Sequence, residues 1–215
     1  MRFRRLWMVL CAAALLTGSA LAAPMTRAQA IAALAQQNAE SRLTGVQRLA
    51  EIGAMVDARR VLERLRDDDP RVRELAGVAV WRIWGRSGDA KIDKLFARGL
   101  AQMQASALAD ALATFNEIVR LKPAFAEGWN KRATIYFLLG DNDKSLQDCE
   151  QVFKRNPDHF GALAGAAQIQ LQVGNPRRAL AFFRRAVEVN PNLEGAAQMI
   201  PLLEQQVQDE DKNRT

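Results

Sequence analysis

The chain has little of what catalysis needs: one histidine, one tyrosine and two cysteines in 215 residues. A metal site or a nucleophile–base pair requires partner side chains, and His159 has no second histidine to work with. Cys11 falls inside an apolar leader, with Leu10 where lipid attachment would want a small residue. Cys149 is then the one cysteine beyond the leader, and a lone cysteine makes no internal disulfide. The 13 glycines form no phosphate-cradling loop and no Gly-x-Ser-x-Gly turn, and no cysteine–histidine spacing suits zinc. Strand-like alternation is missing too. The expectation is a packed helical protein with no catalytic residue, no metal and no cofactor. His159, just past Pro157, is expected in an exposed loop, and Cys149 as a buried, inert thiol.

Long hydrophobic runs are equally scarce. The uninterrupted one, Leu6 to Leu16, follows Arg2, Arg4 and Arg5 and is broken by Thr17, Gly18 and Ser19. It is short of the roughly 20 apolar residues of a membrane span. Ala20-Leu21-Ala22 supplies a small-x-small cleavage pattern, so residues 1–22 read as a secretory signal cut after Ala22, with an uncleaved anchor as the alternative. The expected location is across the inner membrane, in the periplasm. Losing the leader removes three of 30 basic residues and none of the 24 acidic ones, lowering the net charge from +6 to +3. That removes the electrostatic case for nucleic acid. Asp209-Glu210-Asp211 reads as part of a solvated, disordered tail over 209–215.

What the sequence does have is a period. Pro123, Pro157 and Pro191 are spaced 34 residues apart. Twelve residues before each stand Ala111, Ser145 and Ala179, all small, and eight before stand Phe115, Cys149 and Phe183, all suited to a core. Gly140-Asp141 and Gly174-Asn175 read as helix stops followed by turns. The middle copy also carries Trp129, Tyr136 and Phe153, with Ala133 in place of a glycine. The first copy keeps Gly99, with Leu95 for the tryptophan and Ser106 at the turn, and the third has Leu163 and Gln170 for the aromatics.

This pattern resembles the tetratricopeptide repeat, a helix–turn–helix unit of 34 residues. The resemblance implies an all-α, right-handed solenoid with repeats at 92–125, 126–159 and 160–193, capped by a helix over 194–208 that Pro201 kinks or restarts. It also implies that the first helix of each repeat lines a concave groove for a partner peptide or helix. Carried over by phase, the groove residues are Asp93, Phe96, Leu100 and Met103, then Glu127, Asn130, Lys131, Thr134 and Phe137, then Ala164, Gln168 and Leu171. Phe96 and Leu100 stand where a basic carboxylate clamp would have lysine and asparagine.

The stretch before the repeats, 23–90, is helical in another rhythm. Thr26 to Gln37 reads as a first helix, and Val72, Leu75, Ala76, Ala79 and Ile83 make an amphipathic stripe behind Asp69-Pro70. Asp69 to Ala76 resembles the start of a HEAT-type repeat. Trp81 lies opposite that stripe and is expected to be buried where this segment meets the repeats. The function read from these features is a non-catalytic protein-binding scaffold of the cell envelope. The alternative is a binder of an envelope polymer or small ligand such as a peptidoglycan fragment, although a single tyrosine equips it poorly for stacking on sugars.

Overall fold

The computed structural model describes residues 23–213, and every regular element among them is helical. The signal reading for 1–22 lies outside the described residues. The first four helices are α1 (Arg27–Ala33), α2 (Ala39–Ile52), α3 (Ala58–Glu63) and α4 (Pro70–Trp84). Their starts follow capping chemistry. Thr26 forms a capping box with Gln29, Asn38 accepts from the Ser41 amide, and Asp69 caps a helix with Pro70 in its first turn. α1 stops at Ala33, short of the expected Gln37. Two buried aspartates hold this module together. Arg27 forks onto Asp57 at 2.8 and 2.5 Å, and Arg42 onto Asp67 at 2.8 and 2.6 Å. Burial raises both carboxyls, yet their arginine and backbone donors hold them below the ordinary aspartate range.

Three antiparallel pairs follow: α5 (Ala90–Gln104) with α6 (Leu108–Leu121), α7 (Ala126–Leu138) with α8 (Asn142–Arg155), and α9 (Phe160–Gln172) with α10 (Pro176–Val189). The 34-residue period recurs in the backbone. Ser106, Gly140 and Gly174 all have positive φ, at 57°, 78° and 75°. The amide after each reaches back to close the helix, Ala107 to Gln102, Asp141 to Tyr136 and Asn175 to Gln170, at 2.9, 2.9 and 2.8 Å. Glycine meets the left-handed requirement in two repeats and Ser106 meets it with a side chain in the first. Within a pair the helices approach closely over small residues. A Cβ on Gly99 would come within 2.7 Å of the Phe115 ring, and buried Ala133 and Ala167 occupy the same slot in the next two repeats.

The last helix, α11 (Glu194–Lys212), passes through Pro201 and runs past the expected end at Gln208. The acidic segment expected to be disordered is therefore helical up to Lys212. Arg177 of α10 pairs with Asp211, and Arg184 with Glu204 at 2.8 Å, which ties the end of the helix to the array.

The N-terminal module does not simply continue the stack. Its core takes in Phe160 and is flanked by Val189 and Leu193, all from inter-repeat loops or helix ends. Arg66 donates to the carbonyls of Glu188 and Val189, and Asn192 donates to the Leu65 carbonyl at 2.7 Å. The connection back to α5 is pinned as well. Arg86 donates to the carbonyls of Ala50 and Gly53, and the Ser87 hydroxyl bonds Asp93 at 2.6 Å. The module thus lies across the loop edge of the second and third repeats.

Candidate functional site

Between α7 and α9 the surface sinks into a cavity of about 260 Å³. Asn130, Thr134 and Phe137 line one wall and Gln168 the other, and Gly165, with nothing within 4 Å of where a Cβ would stand, bares the α9 backbone. Thr134 and Gln168 are exposed and Phe137 is half-buried, so two polar groups and one apolar anchor converge. No described helix is long and apolar enough to span a membrane, and no group of three metal-binding side chains occurs among the described residues.

The other expected groove residues lie elsewhere. Phe96 is 7% exposed and packs edge-on against Phe115 and Phe125, so it belongs to the core of the first repeat. Leu100 and Met103 are half-buried against the same cluster, and Leu171 against that of the third repeat and α11. Ala164 is half-buried. Asp93 is engaged by Ser87 in the connection to α5. The reason is common to them: one helix face must both fill the seam to the next helix and line the groove, and phase alone does not divide it.

Glu127, Asn130 and Lys131 form a polar knot at the base of the groove, and the knot includes His159. This overturns the expectation of an exposed loop histidine, because His159 is fully buried. It caps α9, its Nδ1 accepting the Ala162 amide at 3.0 Å, which leaves the ring proton on Nε2 facing the Glu127 carboxylate. Asn130 donates to the same carboxylate at 3.1 Å, and the Lys131 ammonium lies 3.6 Å from it. Burial pushes the Glu127 carboxyl up, but His159 and its hydrogen bond, Lys131 and Asn130 together hold it below the ordinary glutamate value.

The N-terminal module closes over this knot. Trp84 stacks on His159 at 4.4 Å, and Trp81 meets His159 and Phe160 edge-on at 5.3 and 5.4 Å. Lys131 lies 5.2 Å above the Trp81 ring. Trp81 sits at the expected junction but remains 37% exposed, so it is only partly buried there. A Cβ on Gly161 would come 2.4 Å from its ring, so the absence of a side chain at 161 makes room for the tryptophan. Cys149 is buried as expected. Its desolvation, with Asp148 and Glu150 nearby, pushes the thiol up to about 12.

Two tetratricopeptide-repeat family models match the chain, over residues 96–152 and 136–200. A TPR repeat-containing protein of Rhizobium etli is 32% identical over 180 residues, covering 84% of this chain and 83% of the relative. The chain belongs to the tetratricopeptide-repeat family. The helix pairs are therefore those of a TPR α-solenoid, and solved structures share the fold. The first TPR domain of Spaghetti bound to an HSP90 peptide is similar at 18% identity and TM-score 0.52, over 55% of this chain and 95% of that one. The Yersinia enterocolitica type III secretion chaperone SycD, in complex with a peptide of the translocator YopD, is similar at 15% identity and TM-score 0.53, over 55% and 95%.

Proposed function

We propose that this TPR protein is an exported, non-catalytic scaffold that holds a segment of a partner protein in the groove between α7 and α9. The observation that carries this reading is the groove itself, where Phe137 offers an apolar anchor and Thr134 and Gln168 offer hydrogen bonds above an α9 backbone bared at Gly165. The peptide complexes of Spaghetti and SycD support it by analogy of fold. Export rests on the leader at 1–22, and the periplasm is the location that leader implies.

The test is a pull-down from envelope extract with the chain starting at Ala23, set against a Phe137→Glu/Gln168→Ala variant of equal helicity. A partner held by the first and lost by the second is the expected result. Equal retention by both would remove the groove from the interface. Capture of glycan without protein would favour the envelope-polymer reading. Fractionation of cells making the whole chain, with N-terminal sequencing, tests export: the expected mature start is Ala23, and a cytoplasmic, uncleaved product would overturn it.

A further inference from the structure

We propose that a second binding site lies on the α8 and α10 side of the array, away from the groove, and takes an acidic peptide segment bearing an apolar side chain. The argument begins with the second repeat, where this side is closed. Arg132 forks onto Asp148 with two hydrogen bonds of 2.7 Å and lies over the rings of Trp129 and Tyr136, at 4.9 and 5.7 Å. Lys144 covers Tyr136 from the other side at 5.4 Å.

One period later only the cation survives, with Arg178 standing for Lys144. Leu163 stands for Trp129, Ala166 for Arg132, Gln170 for Tyr136 and Phe182 for Asp148. The plug is gone, and a cleft of about 490 Å³ opens between α8 and α10. Phe153 and Phe182, with ring centres 5.7 Å apart, form its apolar wall. Gln170 lines it at 5% exposure, and its buried Oε1 has no hydrogen-bond partner among the described residues. Buried amide oxygens are seldom left so, and a peptide N–H is the natural donor for one.

Charge at the rim selects the ligand. α10 carries Arg177, Arg178, Arg184 and Arg185. Arg177 and Arg184 are neutralised by α11, whereas Arg178 and Arg185 border the cleft and form no ion pair with a described residue. They stand two turns apart, roughly 10 Å along the helix, with Arg185 also lying 5.8 Å over Phe153. Glu150 on the opposite rim offsets only one of these two charges. An apolar side chain packs against the wall formed by Phe153 and Phe182, a backbone amide meets Gln170, and flanking carboxylates meet the two guanidiniums.

Fluorescence anisotropy decides the matter, with a labelled peptide of glutamates around a central Leu-Phe and a counterpart with lysines for glutamates. The acidic peptide is expected to saturate, with affinity about tenfold lower for Arg178→Glu/Arg185→Glu and unchanged for Phe137→Glu. A triple variant, Ala166→Arg/Gln170→Tyr/Phe182→Asp, copies the Arg132, Tyr136 and Asp148 part of the stack into the third repeat and is expected to abolish binding at undiminished helicity. The proposal is overturned if the acidic peptide does not saturate, if the lysine counterpart binds as well, or if the two surface arginine changes leave affinity intact. Loss of binding with Phe137→Glu would assign the peptide to the groove instead. Equal displacement by a single-stranded DNA oligomer would reduce the site to unspecific charge attraction.

Discussion

The second and third repeats share a backbone and differ in nearly everything laid on it. Both close their first helix with a left-handed glycine and the same pair of returning amides. Yet Glu127 answers to Gly161, His159 to Leu193 and Tyr136 to Gln170. Each exchange has a spatial consequence: a buried ionic knot in one repeat is matched by room for Trp81 in the other, and a filled aromatic stack by an open cleft. The period sets where the helices lie. Departures from it set where something else can dock.

The sharpest way to break the comparison is to give the second repeat the third's residue at position 159. His159→Leu removes the Nε2–H donor of the buried Glu127 carboxylate together with the cap of α9, and is expected to cost about 2–4 kcal/mol in urea unfolding. Glu127→Gln/His159→Leu should recover most of it, and equal losses in the two variants would clear the pair of blame. The pH dependence follows with a definite sign. Glu127 titrates below its ordinary 4.5 in the folded chain, so its contribution is complete above that value and is lost as pH falls through the lower folded value. Unfolding followed between neutral and acid pH should show a weaker acid dependence in the double variant than in the native chain.

A smaller effect separates two glycines one period apart. Gly161→Ala would push its methyl against the Trp81 ring and is expected to cost about 1–3 kcal/mol, with red-shifted tryptophan emission as the ring swings out. Nothing lies within 4 Å of a Cβ on Gly195, so Gly195→Ala is expected to be neutral or stabilising and to leave the emission alone. Identical emission from both variants would show that Trp81 is not seated over Gly161.

The turns give the next pair. Gly140→Ala puts a side chain on a residue with φ of 78° and is expected to lower stability by about 1–2 kcal/mol. Ser106→Gly relieves the same strain in the first repeat, with a gain of up to about 1 kcal/mol on thermal melting, because the extra freedom of unfolded glycine offsets part of it. The smallest effect concerns Cys149. With its thiol pushed up to about 12 inside the core, iodoacetamide should label it only under denaturing conditions, and labelling of the native chain would contradict its burial.

How far sequence reasoning reached depends on whether a residue's neighbours lie within its own period. Gly140, Gly174 and the three prolines announce the turns because turn chemistry is local. His159 does lie in the loop before α9, but the expectation that it is exposed fails because the groups that cover it, Glu127 and Trp84, come from other helices. A signal was present all the same: the equivalent residues are Phe125, which is buried, and Leu193, which is half-buried, so the slot is inward-facing. Phase puts Asn130, Thr134, Phe137 and Gln168 on one face, and all four line the cavity between α7 and α9. The same phase puts Phe96 and Glu127 on that face, yet both are buried, since a single sequence does not show which neighbours cover a helix face. Nothing in the composition announced that α2–α4 would fold back across distant loops.

That fold-back limits how the protein can change. An open solenoid lengthens by duplicating a repeat, because each unit touches only its neighbours. Here Leu65 is bonded to Asn192 and Arg66 to Glu188, across 127 and 122 residues of chain. A repeat inserted between them would carry the α10–α11 loop one step away from the module that grips it. The number of repeats is thereby counted by the chain's own N-terminal part, as a clasp counts the beads on a bracelet.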